Sequence, residues 1–465
     1  MRVLLRLVAA ALVCSLLLLS CSDPFQGDGE KSPDYRIARN SAAGTVTIDE
    51  LVASEGSDPQ LYVRLNRSGY EVREYPVAYR GMDYYDLIIA LKHPGDVTVG
   101  HGDSGSPIVD SRGRVVAALY AGDTTNKELF FARPIENMTE PLGVAASQAL
   151  SGRETLLARH FVGITPESLG EIRSRLGLPE ERILARPETE TRAGAPRETA
   201  AGASTSGEES RLAARQSATA SPGQSILVRY LDGNLFRSYV SGTVSYVAGE
   251  QDNGGSILAF GHGVIGAGSS SAPVDLVAAV GFVESYRYPY KVVDPFVSNG
   301  NALGYLVQEA YSGVRVTASA AFGQTTVSST LTVPGSDLGL RAEHTVAPTS
   351  RSTQDHYFQT MAILSPLIYQ WERAYNQEGN VTVSFRAFTT SGEGGSDLSN
   401  EANGITGVSE GPLEILYDDY LAAEAEGSYL SYVVEKLYDL VRATYRSQPA
   451  GTRFGTITTD VTLTE

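Results

Sequence analysis

Gly102-Asp103-Ser104-Gly105-Ser106-Pro107 places a serine hydroxyl in a glycine-rich loop. A serine hydroxyl is a weak nucleophile until a base takes its proton. Acyl transfer also needs backbone N–H groups aimed at the oxygen where negative charge develops. Glycines at 102 and 105 permit a tight loop that a Cβ would obstruct. The spacing lets Gly102 N–H and Ser104 N–H converge as an oxyanion hole. Pro107-Ile108-Val109, Asp110-Ser111-Arg112-Gly113 and Val115-Val116-Ala117-Ala118-Leu119-Tyr120 then read as a strand, a turn and a returning strand.

This stretch resembles the nucleophile loop of a chymotrypsin-like serine peptidase, which requires a histidine base. The chain has six histidines. His93 and His101 lie just before Ser104, without the long upstream spacing of chymotrypsin-like enzymes. A triad is defined by geometry rather than chain order, so His160, His262, His344 and His356 are also candidates. His262 is the strongest, because Ala259-Phe260-Gly261-His262-Gly263-Val264-Ile265 sets it after an apolar strand and between two glycines. For the orienting acid, Asp86 opens the apolar run Leu87-Ile88-Ile89-Ala90-Leu91, with Asp275 and Asp294 as alternatives.

Together, Gly261-His262-Gly263 and Ser104-Gly105-Ser106-Pro107 resemble the stage IV sporulation protein B peptidase family, whose members carry a Gly-His element and a Ser-Gly-Ser-Pro loop. The chain is similar to envelope proteins of that family in which the serine loop comes first. Phe130-Phe131-Ala132-Arg133-Pro134-Ile135-Glu136-Asn137-Met138 resembles the segment after their serine hairpin. Gly242-Thr243-Val244 resembles the start of their later block. The resemblance spans residues 45–140 and 225–390. It implies a serine endopeptidase with Ser104 as nucleophile, His262 as base and Asp86 as acid, or an inactive relative that binds envelope proteins or peptides. Asp103 replaces an uncharged family residue and is expected to cap the turn.

The first 21 residues bear on location. Arg2 and Arg6 precede the uncharged run Leu7 to Leu19, too short to span a bilayer as a helix. Leu18-Leu19-Ser20-Cys21 resembles a bacterial lipobox, with Cys21 as the lipid anchor. Cys14 is the only other cysteine, so no disulfide or cysteine metal site is expected in the mature chain. Ser22 after the anchor implies the outer membrane, facing the periplasm, in a diderm host. A net charge of -17 over 465 residues argues against nucleic acid or anionic lipid as partner. No cofactor or metal is expected, and the expected partner is a protein or peptide substrate.

The elements that must position these residues read as mainly β, with chymotrypsin-like barrel elements in two blocks, peripheral helices and a disordered linker. The expected organisation is a tether over 22–43, a β-rich block over 44–140, a helical segment over 141–185, the linker over 186–224, a second β-rich block over 225–400, and a helix and terminal strand over 401–465. Thr45 to Ile48 reads as the first strand. Thr165 reads as an N-cap with Pro166 at the first helical position and Gly177 as the stop. Leu430, Val433, Val434, Leu437 and Val441 mark an amphipathic helix.

Overall fold

The computed structural model describes residues 35–38, 44–83, 85–139, 153–178, 183–186, 220–248, 256–264, 268–283, 288–294, 302–310, 312–320, 323–334, 339–349, 352–374, 378–390, 406–423, 427–447 and 453–464. The expected signal peptide with its Cys21 anchor, and residues 187–219 of the expected linker, lie outside them.

The fold is mainly β, with two closed six-stranded barrels of the chymotrypsin-like kind. The first block contains β1 (Arg36–Ile37), α1 (Ile48–Glu55), β2 (Leu61–Ser68), β3 (Glu71–Asp83), β4 (Asp86–Leu91), β5 (Pro107–Asp110), β6 (Val115–Asp123), β7 (Leu129–Pro134) and α2 (Ile135–Thr139). Antiparallel pairs link β3, β2, β5, β6, β7 and β4, and β3–β4 pairing closes the ring. Closure leaves edge stretches only where strands overrun their neighbours, and β1 on β3 and β8 on β6 cover two of them. The run Val115 to Ala121 is buried throughout, so β6 is apolar on both faces rather than alternating.

β8 (Arg153–Thr155), β9 (Ala158–Val162), α3 (Pro166–Arg175) and β10 (Ile183–Arg186) lead to the second block. It comprises β11 (Ser225–Gly233), β12 (Arg237–Ala248), β13 (Ser256–Ala259), β14 (Ser269–Leu276), β15 (Ala279–Val283), β16 (Tyr290–Val293), β17 (Ala302–Ala310) and β18 (Gly313–Thr317). β11, β12, β13, β18, β17 and β14 close the second barrel. β8 pairs with β6 of the first barrel and β9 with β12 of the second, so three strand-pairing residues and the next strand tie the two together. The β15–β16 hairpin reaches back, with Ala279 bridging Gly69 and Tyr290 bridging His101.

The sheet continues beyond the second barrel. β19 (Thr325–Thr332), β20 (Gly339–Val346), α4 (Ser352–Ala374), β21 (Asn380–Thr390), β22 (Thr406–Ile415), α5 (Tyr417–Ala422), α6 (Tyr429–Arg446) and β23 (Arg453–Thr464) complete the order. β11 pairs with β20, and the sheet runs on through β19, β23, β21 and β22. β19 and β23 alternate buried and exposed residues, as strands covered on one face do. Helices α4 and α6 pack together, with α4 on β19 and β20. Leu430, Val433, Val434, Leu437 and Val441 are all buried on α6. Burying each such side chain contributes about 1.5–3 kcal/mol.

Several expectations need correction. Thr45 makes only an isolated bridge, and Thr47 caps α1 through a reciprocal bond pair with Glu50, because its hydroxyl serves a helix N-terminus better than a ladder. Arg36 and Ile37, expected in the tether, pair with β3. Among the described residues of 141–185, β8, β9 and the start of β10 accompany α3, which Thr165 and Pro166 start as expected. Arg186 ends β10, and Ala220 and Gly223 are buried, so the expected linker is too wide at both ends. The 23-residue α4 lies inside the expected second β-rich block, because buried Asp355, His356, Gln359, Thr360 and Ser365 and the internal Pro366 interrupt its helical apolar period.

Candidate active site

Ser104 stands in the loop between His101 and β5, in the first barrel. Two glycines shape this loop. Gly102 has φ +98°, and a Cβ there would lie 2.9 Å from Lys291 Cβ. Gly105 has φ +95°, and a Cβ would come 2.2 Å from the Thr243 carbonyl and 2.5 Å from Phe260 N. Both therefore need the left-handed backbone that glycine adopts freely. The second barrel grips the loop through Thr243, whose N–H donates to Ser104 O at 2.8 Å and whose hydroxyl donates to Gly102 O at 3.2 Å.

His262 arrives from the second barrel. Past the end of β13, Phe260 and Gly261 adopt φ of 67° and 66°, and this double left-handed step turns the chain back over Ser104. Phe260 is the one non-glycine residue with positive φ among the described residues, and such strain concentrates at functional sites. Its ring is buried against Gly242, where a Cβ would sit 2.3 Å from Phe260 Cε1. The two short motifs of the second block therefore form one unit. Glu309 steadies the loop beyond His262 by accepting from Val264 N–H at 3.0 Å and Tyr230 Oη at 2.9 Å.

His262 Nε2 lies 2.6 Å from Ser104 Oγ, across 158 positions of sequence. The other ring nitrogen, Nδ1, lies 2.6 Å from the Gly263 carbonyl. A carbonyl can only accept, so Nδ1 carries the proton and Nε2 presents its lone pair to Ser104. This is the tautomer that a general base requires. Ser104 Oγ is also 2.7 Å from the Phe260 carbonyl, which competes for the same hydroxyl proton.

The expected acid is not at the imidazole. Asp86 accepts from Tyr120 Oη at 2.7 Å and pairs with Arg133 at 3.1 Å and with Arg153. Three donors, from β6, β7 and β8, hold its carboxylate, while the Gly263 carbonyl occupies the position that the acid was expected to take. Tyr120 stands between them, its ring 6.2 Å from that of His262. Asp275 pairs with Arg229, and Asp294 follows β16. Of the other histidines, His101 meets Glu154 at 3.2 Å and stacks on Tyr290, and His160 stacks on Tyr239.

Asp103 is wholly buried and anchors the loop. It takes a two-pronged bond from Arg67 at 2.8 and 3.0 Å, the Gly100 N–H at 2.9 Å, and Lys291 Nζ at 3.3 Å. Burial raises the carboxyl, but the Arg67 and Lys291 charges outweigh it and leave it below its ordinary value. Burial lowers the Lys291 amine to about 8, against the pull of Asp103. The turn-capping role expected of Asp103 is present in the Gly100 bond, with two cations added.

The two N–H groups expected to form an oxyanion hole point at one acceptor, which belongs to the chain itself. Gly102 N–H and Ser104 N–H donate to the Leu156 carbonyl at 2.6 and 3.3 Å. Among the described residues, no group of three or more His, Cys, Asp or Glu side chains is disposed to hold a metal ion.

Burial lowers His262 to about 4; Gly263 opposes this, and the Arg159 and Arg133 charges add to it. The base form therefore persists down to about pH 4. The unfolded imidazole binds a proton near 6.5, so this group's stabilising share is complete above about 6.5 and is lost as pH falls toward 4. His344 and His356, also lowered to about 4 by burial, act in the same sense. Asp355, raised to about 7 by burial, acts in the opposite sense, its share being lost as pH rises toward 7. Three groups against one predict a urea midpoint that falls from pH 7 to pH 5. A midpoint that rises over that interval would contradict three buried neutral imidazoles.

Comparison of the chain with protein-family models, with curated proteins and with solved structures found no match. The site is read from its own geometry. Sequence reasoning missed Leu156, Lys291, Arg67, Tyr120 and Glu309, none of which belongs to a short motif. Gly242-Thr243-Val244 was marked only by its resemblance to the family's later block, and its clamp on the serine loop emerged from the tertiary structure.

Proposed function

We propose that this protein is a serine endopeptidase that works through a Ser104–His262 pair. The observation that carries this reading is the 2.6 Å contact between Ser104 Oγ and His262 Nε2, made beside two backbone N–H groups that share one oxygen. In the first step His262 Nε2 takes the hydroxyl proton while Ser104 Oγ bonds to the carbonyl carbon of the substrate. The Gly102 and Ser104 N–H groups meet the developing oxyanion. His262 then returns the proton to the departing amine, leaving an acyl ester on Ser104. Water attacks that ester and gives a proton to His262, which passes it to Ser104 Oγ as the ester bond breaks and the carboxylate leaves. The Gly263 carbonyl keeps the imidazole in the required tautomer throughout, without the full charge of an acid.

The resemblance to the stage IV sporulation protein B peptidase family supports the same chemistry, and the Cys21 lipobox supports a lipid-anchored place in the cell envelope. A second reading, a binding protein without turnover, draws on two observations: the missing carboxylate and the Phe260 carbonyl that competes for the serine proton. A fluorophosphonate reagent separates them. Intact-mass measurement should show one adduct per chain, mapped to Ser104 and absent in Ser104→Ala. Folded protein that takes up no reagent, with the strand beside the site released as described below, would favour the binder.

A further inference from the structure

Residues 153–157 lie along β6 and over the Ser104 loop in an orderly way. β5 pairs with Val115 to Ala118 on one edge of β6, and β8 takes over that edge farther along, with Thr155 opposite Ala121, Glu154 opposite Gly122 and Arg153 opposite Asp123. Leu156 N–H donates to Tyr120 O at 2.8 Å, which continues the antiparallel register by one residue. The Leu156 carbonyl then reaches both oxyanion donors. Its side chain is fully buried, and Ser104 has no exposed surface. Two further contacts fix the strand from the side: Glu154 meets His101 at 3.2 Å, and Arg153 pairs with Asp83 and Asp86. Beyond Leu157 the chain enters β9 and pairs with β12, so both sides of the Leu156–Leu157 bond are held.

We propose that residues 153–157 occupy the cleft in the register of a peptide substrate, with Leu156–Leu157 as the bond presented to Ser104. The cleft's substrates are then extended chains with leucine before the cut bond, glutamate two residues earlier at His101, and arginine three residues earlier at Asp83 and Asp86. Strand addition explains the selection physically. Backbone bonds to β6 supply sequence-independent affinity, and the residues facing alternate side chains supply the preference. Asp86 thereby acquires a role as receptor for a basic side chain. An incoming peptide must displace β8, so the resident strand competes with every substrate. This inference rests on the peptidase reading.

The test compares fluorophosphonate labelling of Ser104 in the full-length wild type, in Leu156→Pro and in Arg153→Ala. Proline removes the N–H that Tyr120 O accepts, and alanine removes the anchor to Asp83 and Asp86. Reactivity scales with the fraction of molecules whose cleft is open, so each variant should label about tenfold faster than wild type. The Arg153→Ala protein should also cut the peptide Arg-Glu-Thr-Leu-Leu-Ala between its leucines and leave the version with aspartate for the first leucine intact. Purified wild type already cut between Leu156 and Leu157 would support the same register. Equal labelling rates in all three folded proteins would overturn the proposal and leave the peptidase reading standing. Cutting at a different bond, or equal cutting of the aspartate peptide, would overturn the register. No labelling of any folded protein would remove both.

Discussion

Ser104→Ala, His262→Ala and the double variant should lose hydrolysis of a leucine peptide by about the same factor, on the order of 10⁴ or more. The two side chains act as one unit, because the serine proton has nowhere productive to go without Nε2 and the imidazole has nothing to activate without Oγ. The comparison should be made in an Arg153→Ala background, where β8 has lost its anchor to Asp83 and Asp86. A double variant much worse than either single one would show that the two contribute separately. His262→Ala protein that keeps its rate within about tenfold would place the base elsewhere. Asp86→Asn, by contrast, should leave the pH dependence of turnover in place and weaken only peptides with arginine three residues before the leucine.

Asp103→Ala should destabilise the fold by about 3–5 kcal/mol, because it strands buried charge. Lys291 has no exposed side-chain surface and Arg67 very little, and both turn toward this single carboxylate. The cause can be separated from simple loss of packing. Lys291 sheds its proton near pH 8, so the wild-type pair itself weakens as pH rises through that value. The gap between variant and wild type in urea midpoint should therefore narrow from pH 7 to pH 9.5, while Arg67 keeps part of it open. Adding Lys291→Met to Asp103→Ala should restore part of the loss, since an apolar side chain of similar length needs no counter-charge. A gap that is constant with pH and indifferent to Lys291→Met would show that the buried ion cluster is not the source.

The same cluster explains why Ser104 is well placed. Asp103 immediately precedes the serine, and its cations come from β2 of the first barrel and from β16 of the β15–β16 hairpin. The loop is thus held at the junction by charge as well as by the Thr243 bonds. Such a junction lets the five-residue loop between His101 and β5 keep two N–H groups pointed at one oxygen.

Local chemistry determined much of this protein. Gly102 and Gly105 announced a loop that only glycine can follow, Thr165-Pro166 announced the start of α3, and the spacing of Leu430 to Val441 announced the buried face of α6. The two β-rich blocks were legible because strand alternation and turn residues are properties of neighbours in the chain. His262 stood out for a similar reason, flanked by small residues after an apolar strand. Partners far apart in sequence were decided only by the tertiary structure. Asp86 carries no mark of its distance from His262, and its carboxylate went to Tyr120, Arg133 and Arg153, which the β4–β7, β6–β7 and β6–β8 pairings bring to it. α4 was hidden because Asp355, His356, Gln359, Thr360 and Ser365 are buried along with its apolar residues, so no clean polar face marks its period. The Leu156 carbonyl reaches the oxyanion donors because β8 follows one barrel and β9 the other. No residue type encodes that placement, because a backbone carbonyl is the same at every position and only the fold brings this one to Ser104.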